Sequence, residues 1–171
     1  MWIPKNNWGG AFVRTIDNSY NDTTLAKKDS FIKLDKNNYI IQKVKICSTE
    51  NELKRIFNLL IDKNLTKGIV KIDVEGMELT ILNGLSKILP KNVKIDIVFE
   101  NWDDNLNIST LKKIFNNREI LLYKFNNKVR FKNDYPKIIK GLLMLLSSNL
   151  ISLEEIKKNE NMKGDIVINI L

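Results

Sequence analysis

The chain has 171 residues, 43% of them hydrophobic and 28% charged. That is one domain's worth of protein, able to bury a core, and the balance excludes a disordered tail. It contains no histidine, which excludes His-based zinc sites, Ser-His-Asp and Cys-His nucleophile systems and histidine general bases. Its single cysteine, Cys47, excludes an intramolecular disulfide and points to a reducing, cytoplasmic setting. The formal charge of +8 comes from 28 basic against 20 acidic residues. Only Arg14, Arg55, Arg118 and Arg130 carry the bidentate fork that base and phosphate recognition favours. The lysines form no dense stripe interleaved with aromatics, so the charge reads as a solvated surface and not as a nucleic-acid interface.

Residues 1–7 lack the apolar core of a signal peptide. Residues 1–30 are turn-rich, with Asn6-Asn7-Trp8-Gly9-Gly10 followed by a short strand candidate at 11–16. Two apolar runs, 31–34 and 39–46, flank Asp35-Lys36-Asn37-Asn38 and read as a hairpin. Ser48 and Thr49 precede Glu50, Glu52 and an apolar period through Leu53, Ile56, Phe57, Leu60 and Ile61. That pattern predicts a capped helix. Residues 68–74 are β-branched and apolar on both faces, as a buried parallel strand would be. After Glu75-Gly76, apolar positions at Met77, Ile81, Leu82, Leu85, Ile88 and Leu89 predict a helix that Pro90 stops. A second strand at 93–99 closes a βαβ unit. A helix at 108–115, a strand at 119–125, an apolar helix near 138–149, a charged helix near 152–160 and a last strand at 165–171 complete the expected chain. The stretch 138–153 is interrupted by Lys140, Gly141 and Ser147-Ser148-Asn149, too short and too polar for a membrane span. The fold class is α/β, with no internal repeat.

Ligands of open parallel sheets bind beyond the carboxyl ends of the strands. Two successive strands carry acids there: Asp73 and Glu75 after the first, Glu100 after the second. Neighbouring strands lie about 4.8 Å apart, so these carboxylates would share one small region. Glu75 and Glu78 also suit the positive end of the following helix. A carboxylate at the end of a buried strand costs desolvation, which favours a functional role for Asp73 and Glu100. Lys71 reads as a lysine stem covering the sheet edge. Asn101 and Trp102 follow the second strand as candidate acceptor contacts, Trp102 either lining a pocket or packing on the sheet end. No residue is assigned as a metal ligand, although Glu75 could join Asp73 and Glu100 around a hard cation such as Mg²⁺.

The run Lys71-Ile72-Asp73-Val74-Glu75-Gly76-Met77-Glu78, followed by Leu82 and Gly84, resembles the K-I-D-V-E-G-x-E-x-x-x-L-x-G signature of FkbM-family methyltransferases. The strand ending in Glu100 is similar to the family's next strand, and Asn7-Trp8-Gly9-Gly10 resembles a turn upstream of the signature. The resemblance is strong over residues 68–102 and weaker elsewhere. It implies a Rossmann-like class I methyltransferase sheet with flanking helices, in which S-adenosylmethionine (SAM) methylates a hydroxyl. The acceptor implied is a sugar, a surface glycan or a secondary metabolite. Asp73 and Glu100 would then orient the acceptor or take its proton, and Glu75 would face the cofactor.

The family's first half carries a glycine-rich cofactor loop after its first strand, and no such loop occurs among the seven glycines here. Matched to the family order 3-2-1-4-5-7-6, the chain is expected to be a single partial domain over residues 1–171 with strands one to three missing. Residues 1–47 would be a turn-rich segment and hairpin, and 48–171 the sheet half. A separately encoded N-terminal half is the expected partner, and the strand at 68–74 is expected to present a bare edge that associates. The alternative implied is an inactive fragment, or a binding or assembly module.

Overall fold

The computed structural model describes residues 1–6, 10–16, 18, 36–103, 106–127, 151–157, 160 and 162–171. Residues 7–9 of the glycine turn, the first arm of the expected hairpin at 31–34 and the apolar helix expected near 138–149 lie outside them.

Strands β1 (Trp2–Pro4) and β2 (Tyr39–Ile41) pair antiparallel as a small sheet of their own. The expected strand at 11–16 reduces to one bridge, Phe12 to Trp2. The expected strand at 39–46 stops at Ile41, and Val44 and Ile46 stay exposed. Aromatic packing explains both limits. Tyr39 and Phe12 bury against Trp2, with ring centroids 5.4 and 6.5 Å from it, and Arg14 lies 4.8 Å over the indole. Among the described residues, those beyond that cluster pair with no further strand.

Helix α1 (Thr49–Asp62) begins where its cap predicts: the Ser48 hydroxyl accepts from the Asn51 amide. Strand β3 (Lys67–Ile72) and helix α2 (Glu78–Ile88) follow, then β4 (Lys94–Asn101), parallel to β3 and paired from Lys67↔Lys94 to Ile72↔Phe99. Gly76 makes the strand-to-helix turn at φ 82°, a conformation that a side chain would strain. Helix α3 (Ile108–Ile114), capped by Asn107, leads to β5 (Ile120–Asn127). The last strand, β7 (Gly164–Ile170), inserts between β4 and β5 and runs antiparallel to both.

Residues 152–155, the start of the charged helix expected near 152–160, instead belong to strand β6 (Ile151–Glu155), paired with β5. The run Glu154-Glu155-Ile156-Lys157 satisfies helical charge spacing, but pairing with β5 offers more. Lys124 on β5 lies 4.0 Å from Glu154 and 3.3 Å from Glu160, and Asn126 donates to Glu154 at 3.0 Å. Cross-strand partners override a local preference of a few tenths of a kcal/mol per pair.

The five-stranded sheet has the order β3-β4-β7-β5-β6. Its core forms on one face, where Ile95, Ile97, Phe99, Ile166, Ile168 and Ile170 meet Phe57 of α1, Leu82 and Leu85 of α2 and Leu111 of α3. The opposite face carries Lys71, Asp73, Phe125 and Leu153, all exposed. Strand β3 has a neighbour on one side only among the described residues, and it is not the two-faced buried strand the sequence suggests: Ile69 is 74% exposed. An apolar run on an edge strand looks the same in sequence as one inside a sheet.

Candidate functional site

Because β3 and β4 run parallel, their carboxyl ends meet at one edge, and the register puts Asp73 and Glu100 one step beyond the Ile72↔Phe99 pair. Across from β4, Glu100 is paired directly with Asp165 of β7. Alternation places Asp73, Glu100 and Asp165 in one row on the open face of the sheet. Like charges directly opposite each other oppose pairing. Lys71, two residues before Asp73 on the same face, compensates: its Nζ donates to Asp73 Oδ2 at 2.7 Å. The hydrogen bond and charge of Asp73 hold the Lys71 ammonium above its ordinary value, with smaller contributions from Asp165 and Glu100. Asp73 is therefore not the desolvated carboxylate expected at a buried strand end; its side chain is 74% exposed and ion-paired. Its edge position keeps water on it.

Beside this row lies a cavity of about 850 Å³, between the end of β3, the outer side of α2 and the segments 11–13 and 46–50. Asp73, Glu75, Ser48, Asn83 and the Lys87–Glu50 ion pair, 2.6 Å, supply its polar lining. Phe12, Val13, Val74, Met77 and Ile81 supply the apolar part. Glu75, half-buried, thus stands in the same cavity as Asp73, while Glu100 remains on the sheet face beside it. Glu78 turns inward at the start of α2, 6% exposed, and accepts from the Gly76 amide at 3.3 Å, so it belongs to the turn and not to the cavity.

Asn101 and Trp102 part company. Asn101 follows Glu100, so its side chain points to the core face, where it is 2% exposed. Its Nδ2 donates to the carbonyls of Leu106 and Met162 at 2.9 and 2.7 Å, and its Oδ1 accepts from the Asp103 amide at 3.1 Å. It fastens the loop after β4 to the entry of β7. Trp102 is 38% exposed, and its carbonyl accepts from Lys163 at 2.8 Å.

Two residues of this region carry no signal in the sequence. Asp165 reaches Glu100 only because β7 inserts next to β4, which no local pattern announces. Asn18, in a turn-rich stretch, donates from Nδ2 to the carbonyls of Val13 at 2.7 Å and Glu75 at 2.8 Å. No group of three or more metal-capable side chains occurs among the described residues, and no helix there is long and apolar enough to cross a membrane.

The chain is thus a mixed α/β protein with an acid-lined cavity at the carboxyl end of its parallel strand pair. It belongs to the FkbM methyltransferase family: the family model for the methyltransferase FkbM domain matches residues 14–123, from just after the cavity-wall segment 11–13 into β5. No curated protein and no solved structure matches the chain.

Proposed function

We propose that this methyltransferase domain uses SAM to methylate a hydroxyl oxygen of a sugar, surface glycan or secondary metabolite. The observation that carries the reading is that Asp73 and Glu100 stand one step beyond the Ile72↔Phe99 pair, with Asp73 lining a cavity that also holds Glu75. The cavity's size falls in the range of small-molecule sites. Its mixture of carboxylates and apolar side chains suits a cation that also carries a flat aromatic ring and hydroxyls, which is the chemistry of SAM, with its sulfonium, adenine and ribose. The strand order and the antiparallel insertion of β7 support a Rossmann-like class I arrangement.

Glu75 and the apolar residues Val13, Val74, Met77 and Ile81 would hold the cofactor. When bound, SAM supplies a methyl group made electrophilic by its sulfonium. The protein's part is to place the acceptor oxygen in line with that carbon and to receive the hydroxyl proton. Glu100, without an ion-pair partner of its own among the described residues at hydrogen-bond range, is the proposed proton acceptor. Asp73, ion-paired with Lys71, orients the hydroxyl. Trp102 would border the acceptor, and Asn101 would act through the loop it fastens. The lone Cys47 and the absence of histidine suit a cytoplasmic enzyme whose proton transfer rests on carboxylates.

A second reading is a catalytically inert binding or assembly module, the partner of a separately encoded half. Its support is the open side of β3, where Ile69 stands exposed, and the scarcity of glycine around the cavity: among the described residues, Gly84 is the one glycine lining it. Titration calorimetry with SAM separates the two. Binding by the wild type, weakened in Glu75→Gln and retained in Glu100→Gln with loss of methyl transfer, supports the enzyme. A folded chain giving no heat at about millimolar SAM, where a weak site would begin to fill, favours the module.

A further inference from the structure

The cavity has one wall that does not belong to the main sheet. Ala11, Phe12 and Val13 form it, and they are tied to the small β1–β2 sheet, where Phe12 is buried against Trp2 and Tyr39. The facing wall is the turn after β3, from Asp73 to Met77. What holds the two walls at their separation is a short bridge. The Asn18 amide donates to Val13 on one side and to Glu75 on the other, and Thr15 Oγ1 adds a longer contact of 3.8 Å to the Met77 sulfur.

The geometry points to Asn18 as a positioning residue: its amide ties Val13 to Glu75, two residues that line the cavity, setting how far residues 11–13 stand from the Glu75 turn. An amide is the one uncharged side-chain group of this size with two N–H donors on a single nitrogen. Two carbonyls that would otherwise face each other are joined by it. The carbonyl of Glu75 immediately precedes Gly76, whose φ of 82° sets the turn into α2, so the same bond also orients the carboxylate-bearing residue of the cavity. The two hydrogen bonds act in series, so loss of the Asn18–Glu75 link alone frees the wall, while the sheet core, which shares no residue with the bridge, stays closed. The inference rests on the cavity being the ligand site proposed above.

Hydrogen exchange by mass spectrometry on the full chain tests it, comparing wild type with Asn18→Ala and Asn18→Asp. Losing two part-buried hydrogen bonds should speed exchange in residues 11–16 and 74–78 by about tenfold or more. Residues 94–101 and 164–170 should exchange as in the wild type. Asn18→Asp, which keeps the size and loses the donors, should match the alanine variant. Unchanged exchange in the two walls overturns the inference, and so does equal acceleration in the sheet, which would make Asn18 a general stabiliser. SAM affinity gives a further readout: a loss of about tenfold in the variants supports positioning, and equal affinity in wild type and variants overturns it. If the wild type binds no SAM, the methyl-donor reading falls while the exchange pattern still decides the role of Asn18.

Discussion

Removing the Asn101 amide should destabilise the protein far more than removing an acceptor contact would. The side chain is 2% exposed and makes three hydrogen bonds, two to carbonyls and one from an amide. The residues that own those carbonyls, Leu106 and Met162, are themselves 2% and 4% exposed, so water would not readily replace the lost donor. At about 1 kcal/mol per bond, with the two carbonyls left short of a partner, Asn101→Ala should cost about 3–5 kcal/mol. That is a large share of the stability of a domain. For a chain of this length it corresponds to a fall in Tm of roughly 6–20 °C. Urea unfolding followed by circular dichroism is the assay, with the slope expected to match the wild type so that the midpoint alone reports the change. Asn101→Asp sharpens the test. At neutral pH it sets a carboxylate against two carbonyl oxygens and should be at least as unstable as the alanine variant. Acidification that protonates the new carboxyl returns one donor and should narrow the deficit against Asn101→Ala. A loss below about 1 kcal/mol in Asn101→Ala would refute the reasoning, because these three bonds, two of them buried, cannot then be what secures the loop.

Other sites give independent checks. A Cβ on Gly84 would lie 2.9 Å from Thr49 Cβ, a backbone-anchored atom that cannot swing aside, so Gly84→Ala should lose about 1–3 kcal/mol to overpacking, offset by about 1 kcal/mol of helix propensity; a gain in Tm would contradict the close α1–α2 approach. Because Asp73 raises the Lys71 pKa, the pair's small, solvent-screened stabilisation is present below the ordinary lysine value of 10.5 and disappears as pH rises through the higher folded value. The unfolding midpoints of wild type and Lys71→Gln should therefore converge only in strong alkali, and convergence near neutrality would disprove the assignment. Ile69 sits 74% exposed on an edge strand, so Ile69→Lys should reduce any self-association seen by light scattering; a wild type that is monomeric at high concentration would show that the edge does not associate.

The local grammar of the chain is legible in the amino-acid order itself. Ser48 three residues ahead of Asn51, glycine at position 76 and proline at position 90 mark helix and turn boundaries through hydrogen bonds and backbone sterics that act within a few residues. The apolar periods of β3, α2 and β4 are equally local, and the signature over residues 71–84 lies wholly inside that one unit. From it the two acid-tipped parallel strands, and hence Asp73, Glu75 and Glu100, can be named. Tertiary structure alone decides the rest. That β7 enters between β4 and β5 depends on pairing energies between segments distant in the chain, and only that insertion sets Asp165 against Glu100. The strand character of β6 and the burial of Asn101 beneath the acid row have the same origin. So does the reach of Asn18 to Glu75, across 57 residues. Composition by itself excludes histidine chemistry. That Asp73 is wet and not buried is settled by β3 lying at the edge of its sheet among the described residues, because desolvation is a property of neighbours and not of sequence.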